Sequence, residues 1–333
     1  MRPYPTTIPL LDSTPTMRIL LVKTSSLGDV IHNLPVVSDL KLIFPEAQID
    51  WCVEEGFADL PRLHPAVDQV IPVAIRRWRQ HLGSLATWRE VGDFRRRIAA
   101  PRYDFVLDTQ GLLKSALIAR QAQGRRLGYA AEVAREPLAA RFYDATFVIP
   151  RNVHAVQRNR WLAAAAFDYA VDLPLDYGIL APTIDRRWLA GERLAVLLTA
   201  TSRDDKLWPE RYWCEVAEAL LERGLRPVLP AGSARERQRA ERIAAAVAGA
   251  VVAPPLQLPQ VAALLARASL AIGVDTGLVH LAAALRVPTI ALYVATDPAL
   301  TGVYGIGFVR NLGGVGAAPL VAEVLRVAEQ ALR

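Results

Sequence analysis

Two Rossmann-like α/β domains in tandem are what the sequence predicts, and three observations carry the prediction. The chain has 333 residues, about the length of two domains. Short apolar runs alternate with helix-period stretches through both halves, the pattern of parallel strands joined by crossover helices. The alternation lapses once, over residues 169–188, where Pro174, Gly178 and Pro182 break it, and then restarts. A hydrophobic fraction of 52% is ample for two cores and excludes disordered and fibrous classes. The expected boundaries are residues 17–180 for the N-terminal domain and 190–318 for the C-terminal one. Residues 319–333 form a last helix that either half could receive, the N-terminal one included.

In the first half, residues 17–23 (MRILLVK) read as a strand and residues 24–29 (TSSLGD) as a glycine turn. Val30, Ile31, Leu34, Val37 and Leu40 then mark one helix. Strands follow at 49–53, 70–73, 105–107 and 146–149, with helices over 89–99 and 115–121. In the second half residues 194–198 open the sheet. Pro209 at a first-turn position and Gly224 at a stop position bracket an amphipathic helix. Strands continue at 228–229, 251–252, 270–272 and 289–293, and residues 320–332 form the terminal helix. In such folds ligands bind at the carboxyl ends of the strands, so a cleft is expected there.

The net charge is +6, and only four of the 39 basic residues are lysine: Lys23, Lys41, Lys114 and Lys206. Where arginine is the default cation, a retained lysine marks a place that suits a compact point charge. Residues 62–160 hold 18 Lys/Arg against 8 Asp/Glu, so the remainder of the chain is net acidic. That stretch is either a docking surface for an anion or an ordinary solvated face. Cys52 and Cys214 are far apart in apolar surroundings and read as reduced thiols of a reducing cytosol. Residues 1–16 carry four prolines and no apolar signal core, and Met17 offers an alternative start. The longest uncharged stretch, 243–266, is broken by Pro254, Pro255 and Pro259 and reads as helix, strand and helix rather than a membrane span.

Three constellations bear chemistry. The first is residues 23–32 (KTSSLGDVIH), strand into helix, where Gly28 allows a tight turn. Asp29 there either caps the helix or projects into the cleft as a general base; a carboxylate suits a nucleophile that loses its proton late. The second is residues 273–280 (GVDTGLVH). Free amides at the helix start bind phosphate, Gly277 lets an anion approach, and His280 lies one turn after Thr276 on the same face. A structural role for His280 is the alternative. The third is residues 201–209 (TSRDDKLWP), whose two hydroxyls and Lys206 suit phosphate oxygens, unless Lys206 simply pairs with Asp204 or Asp205. There is no P-loop, no glycine fingerprint at a βαβ opening and no Cys/His cluster. No cofactor and no metal are therefore expected.

Together these segments and others (DWCVEEGFA, VIPVAIRRWR, DTQGLLKSA, AREPLAARFY, GVDTGLVHLAAAL) resemble the bacterial ADP-heptose:lipopolysaccharide heptosyltransferases of glycosyltransferase family 9, the type I subfamily most closely. Type II enzymes share the D-T-G-x-x-H site but are not expected to carry IPVAIRRWR or AREPLA. The resemblance implies a GT-B architecture, two Rossmann-like domains facing across a cleft. It implies inverting transfer of L-glycero-D-manno-heptose from ADP-heptose to the first Kdo of Kdo2-lipid A; a related heptosyltransferase with a different core acceptor is the alternative. Asp29 matches the family's catalytic base. Lys206 with Thr201 and Ser202, and Asp275, Thr276, Gly277 and His280, match the donor site; Ser202 replaces a threonine. Glu236 matches the ribose-binding carboxylate, and Leu256 stands where an adenine-contacting methionine belongs. Arg76, Arg77, Arg79 and Arg135 fall in the two acceptor-side motifs, where guanidinium forks suit carboxylates and phosphates. A lipid-linked acceptor implies a cytoplasmic protein held peripherally at the inner-membrane surface. No aromatic-interleaved basic motif supports a nucleic-acid partner.

Overall fold

A computed structural model describes residues 16–183 and 193–333. Residues 1–15, ahead of the alternative start at Met17, the later part of the expected linker and the first residues of the expected C-terminal domain lie outside the described residues.

The first domain is a parallel sheet of β1 (Arg18–Val22), β2 (Gln48–Glu54), β3 (Gln69–Val73), β4 (Arg102–Asp108), β5 (Gln123–Tyr129) and β6 (Ala145–Phe147), in spatial order β3-β2-β1-β4-β5-β6. The second repeats it with β7 (Arg193–Leu198), β8 (Leu225–Leu229), β9 (Val251–Val252), β10 (Ala268–Val274), β11 (Thr289–Tyr293) and β12 (Val309–Gly313), ordered β9-β8-β7-β10-β11-β12. Each sheet therefore reverses direction once, between β1 and β4 and between β7 and β10. The crevice beyond the strand ends at such a reversal is the ligand position of this fold. Strands β1 and β7 read as unbroken apolar runs because helices cover both faces.

Ten strands agree with the sequence reading to within a few residues; β5 and β12 did not show in it. Strand β5 (QGRRLGY) buries only its last three residues, and β12 (VRNLG) is a sheet edge with a single buried position. Neither has a second apolar face to produce a pattern. The helix expected after β1 is two helices, Leu27–Ile31 and Leu34–Ile43, the second restarting with Pro35 in its first turn. The stretch at 243–266 resolves as expected into the end of helix Ala234–Ala246, β9 and helix Leu258–Ala266. Among the described residues no helix is long and apolar enough to cross a membrane.

The terminal helix Val321–Ala331 packs on the second domain, not on the first. Its Val324, Val327 and Ala328 join the core formed by Trp213, Val216, Leu220 and Leu292, which gives its apolar stripe the nearest available cover. A separate core runs across the junction between the domains. Val30, Ile31 and Leu34 from one half and Val279 and Leu281 from the other belong to it. Helix Leu27–Ile31 thus meets helix Gly277–Ala284, each launched from a strand at its own sheet's reversal point.

Candidate active site

In the first domain the chain leaves β1 through Lys23-Thr24-Ser25-Ser26 and enters helix Leu27–Ile31 with Ser26 as N-cap. Asp29 is the third residue of that helix. Its Oδ2 accepts from the Ser26 backbone N–H at 2.9 Å and from Ser26 Oγ at 3.2 Å, while Oδ1 accepts from the Arg135 guanidinium at 2.8 Å. The two readings of Asp29 are therefore compatible: one oxygen caps the helix and the other faces the cleft. Burial alone would raise its carboxyl, but Lys23 and Arg135 outweigh burial and hold it well below the usual carboxylate range. Lys23 is itself sealed beneath the loop. Its Nζ donates to the Thr109 carbonyl at 2.9 Å and to Asn159 Oδ1 at 3.3 Å, and burial pulls its pKa down to about 8.

The second domain supplies the facing wall. Lys206 Nζ donates to Asp275 Oδ2 at 2.6 Å, and Thr296 Oγ1 donates to the same oxygen at 2.7 Å. Burial opposes ionisation of Asp275, yet these two donors keep its pKa below the usual value. The pairing considered for Lys206 with Asp204 or Asp205 does not form. Arg203 pairs with Asp205 and Arg235 with Asp204, which leaves the ammonium to Asp275. Thr201 Oγ1 donates to the Asp275 carbonyl at 2.9 Å, tying the loop after β7 to the loop after β10. Glu236 Oε2 accepts from the Gly232 N–H at 2.7 Å at the start of helix Ala234–Ala246. Gly277 has a use beyond the expected anion approach. A Cβ there would lie 2.7 Å from Leu27 Cβ, so the bare backbone lets the two domains close together.

These walls enclose a cleft of about 720 Å³. All nine residues that the resemblance assigns to the donor site, Thr201, Ser202, Lys206, Glu236, Leu256, Asp275, Thr276, Gly277 and His280, line it, as do Asp29, Arg76 and Arg135. Arg77 and Arg79 are not in the lining. Arg77 is held by Glu55 at 2.9 Å and Glu90 at 2.9 Å, and Arg79 is exposed to solvent. Arg76 enters because its guanidinium lies 5.3 Å from the ring centre of Phe57, another lining residue. The sequence reading missed His32, Phe57, Thr296 and Thr301 in the lining. Thr296 had a usable signal, three residues past the expected strand at 289–293. Lys114, one of the four lysines and part of the segment DTQGLLKSA, donates to Ser25 Oγ at 2.9 Å behind the loop that leads into Asp29. Asp108 and Asp104 are occupied structurally, by Tyr143 and Gln110 and by the Arg18 N–H. Among the described residues no group of three or more His, Cys, Asp or Glu is placed to hold a metal.

Two Rossmann-type sheets facing across a cleft, a carboxylate on one wall and a phosphate-suited loop and helix start on the other, define a transferase of the GT-B type. The profile of glycosyltransferase family 9 (heptosyltransferase) matches residues 91–319. The chain is 49% identical to lipopolysaccharide heptosyltransferase 1 of Pseudomonas aeruginosa over 87% of its own length and 82% of the relative's. It is 45% identical to the Escherichia coli lipopolysaccharide heptosyltransferase 1, covering 87% of this chain and 91% of that one. The solved structure of E. coli heptosyltransferase WaaC with ADP superposes with a TM-score of 0.88 at 42% identity, over 95% of this chain and all of that one. The chain belongs to glycosyltransferase family 9, the heptosyltransferases, and stands with those of lipopolysaccharide core biosynthesis.

Proposed function

We propose that the chain transfers L-glycero-D-manno-heptose from ADP-heptose to the first Kdo of Kdo2-lipid A, with inversion at the anomeric carbon and Asp29 as general base. The observation that carries this reading is the opposition of Asp29 and Arg135 on one wall to Lys206, Thr201 and the start of helix Gly277–Ala284 on the other. The second wall suits a sugar diphosphate, and a solved relative, E. coli WaaC, is described with ADP-2-deoxy-2-fluoro heptose. Identity of 45–49% to the type 1 enzymes of Pseudomonas aeruginosa, Salmonella and E. coli, against 26–28% to the type 2 enzymes of E. coli and Salmonella, supports the type 1 acceptor, although the Campylobacter coli type 1 enzyme is only 23% identical.

In the proposed step an acceptor hydroxyl attacks the anomeric carbon from the side opposite the diphosphate. The carbon–oxygen bond to the β-phosphate breaks, ADP leaves with the electron pair, and the hydroxyl proton passes to Asp29. A carboxylate held so firmly ionised is a weak base, so the proton moves late, after the carbon has gained oxocarbenium character. An incoming Kdo carboxylate competes with Asp29 for Arg135. Drawing that guanidinium away raises the basicity of Asp29 at the moment the acceptor is seated.

The lipid-linked acceptor places the protein at the cytoplasmic face of the inner membrane. Leu82, Leu85 and Trp88 are 56%, 77% and 57% exposed just after helix Ile75–Gln80, which carries Arg76, Arg77 and Arg79, so apolar side chains lie near basic ones in the chain. The test is an assay of the purified chain with ADP-heptose against defined Kdo-lipid A and heptosylated core in parallel. Turnover of the Kdo acceptor alone supports the reading, and preference for heptosylated core overturns the acceptor assignment.

A further inference from the structure

Three of the chain's five histidines, His32, His154 and His280, gather where the domains meet. His32 ends helix Leu27–Ile31 of the first domain, and His280 is the fourth residue of helix Gly277–Ala284 of the second. Nε2 of His32 lies 3.1 Å from Nδ1 of His280, with the rings nearly perpendicular. Burial pushes both imidazoles toward the neutral form, His280 to about 4. Two neutral rings share one hydrogen between these nitrogens, so one ring donates and the other accepts.

The surroundings decide which. If His280 donated from Nδ1, His32 would carry its own hydrogen on Nδ1, an atom sealed from solvent with no partner among the described residues. A buried N–H without an acceptor is the rarer and costlier defect; a buried lone pair is the milder one. His154 cannot relieve it. Its Nδ1 accepts from the Val156 N–H at 3.2 Å, so its hydrogen is on Nε2, directed at the Gly302 carbonyl at 2.9 Å. The remaining arrangement has His32 Nε2–H donating to His280 Nδ1 and the His280 hydrogen on Nε2. That edge of the ring is the one turned to the catalytic loop: a Cβ on Gly28 would lie 3.5 Å from His280 Cδ2 and 3.8 Å from Nε2. Asp29 and Asp275 both act on His280 to favour positive charge there.

We infer that His32 is a positioning residue that works across the domain junction, locking His280 in the Nε2–H tautomer so that it presents a hydrogen-bond donor to the cleft. This rests on the proposed reaction, in which charge accumulates on a diphosphate oxygen as the glycosidic bond breaks. A donor fixed in advance stabilises that charge more in the transition state than in the bound substrate. A ring free to take the other tautomer would turn a lone pair toward the anion.

Ring-nitrogen NMR of the full-length, ¹⁵N-histidine-labelled protein reads the tautomer directly. His280 should show an unprotonated Nδ1 and a protonated Nε2, and the opposite pattern overturns the inference whatever the protein catalyses. Kinetics supply the second arm. His32→Leu should lower kcat tenfold or more with a much smaller change in KM for ADP-heptose, and His32→Gln, whose amide can still donate, should recover most of the loss. Equal activity of folded His32→Leu and wild type overturns the positioning role. If His32→Leu does not fold, failure of His32→Gln to retain the tautomer and at least a third of wild-type kcat does so. Absence of heptose transfer by the wild type itself would count against the proposed reaction and leave the NMR result standing.

Discussion

Arg135 donates to Asp29 Oδ1 at 2.8 Å on the first-domain wall of the cleft, joining residues 106 positions apart in the sequence. The pair couples the residue proposed to take the acceptor's proton to one proposed to bind the acceptor's anion. It predicts that Arg135→Gln raises the Asp29 pKa, because a hydrogen bond and a positive charge that favour the ionised form are both lost. A general base must be deprotonated to act, so the acid limb of the kcat/KM profile should move up in pH. In the wild type that limb should lie below the range in which the enzyme is assayed. Profiles of wild type and variant against the same acceptor check this, and superimposable acid limbs would break the link.

Asp29→Asn keeps the shape of the side chain and removes its basicity. The turnover rate should fall by about 10²- to 10⁴-fold. ADP affinity, measured calorimetrically, should stay within about threefold, because the residues proposed to bind the donor belong to the other domain. Unchanged turnover would remove Asp29 from the base role.

Lys206→Ala leaves Asp275 with Thr296 as its remaining side-chain donor and takes a cation from the wall proposed to bind phosphate. ADP should bind at least tenfold more weakly, about 1.4 kcal/mol or more. Lys206→Arg should recover little of this, since the longer planar fork cannot repeat a single short contact in a half-buried site. Full recovery by arginine would show that charge alone matters.

Gly277→Ala tests the approach of the domains. The added methyl would meet Leu27 at 2.7 Å, and overpacking at such a contact costs about 1–3 kcal/mol. Leu27→Ala in the same chain should return much of the lost stability by clearing the space. Denaturant unfolding of both single variants and the double variant measures the coupling, and strict additivity would place the clash elsewhere.

Lys23 predicts a pH dependence of stability. Burial lowers its folded pKa to about 8, below its ordinary value of 10.5, so between those values the unfolded chain binds more protons and stability rises with pH. Below pH 8 the full cost of a buried ammonium is present, on the order of 3 kcal/mol. Lys23→Met lacks that cost, so the wild type should gain on the variant as pH rises from 8 to 10.5. Parallel unfolding curves at pH 7 and 10 check the slope; a constant gap between them would contradict it.

Much of this protein was legible in its sequence because parallel strands covered on both faces must be apolar throughout, and loops that follow them must carry the polar chemistry. The runs at β1, β7 and β10, and the loops holding Asp29, Lys206 and Asp275, stand out for that reason. Strands β5 and β12 did not, since a half-exposed strand with glycine and arginine has no pattern of its own. Residue types and their place at strand ends determined which side chains could reach a cleft. Only the tertiary structure decided their partners: that Lys206 meets Asp275 rather than its sequence neighbours, that Arg76 and Arg135 enter the cleft while Glu55 and Glu90 hold Arg77 aside, and that His32 reaches His280. Partners of a charged or tautomeric group depend on distances across sheets and domains, and local sequence carries no record of those distances.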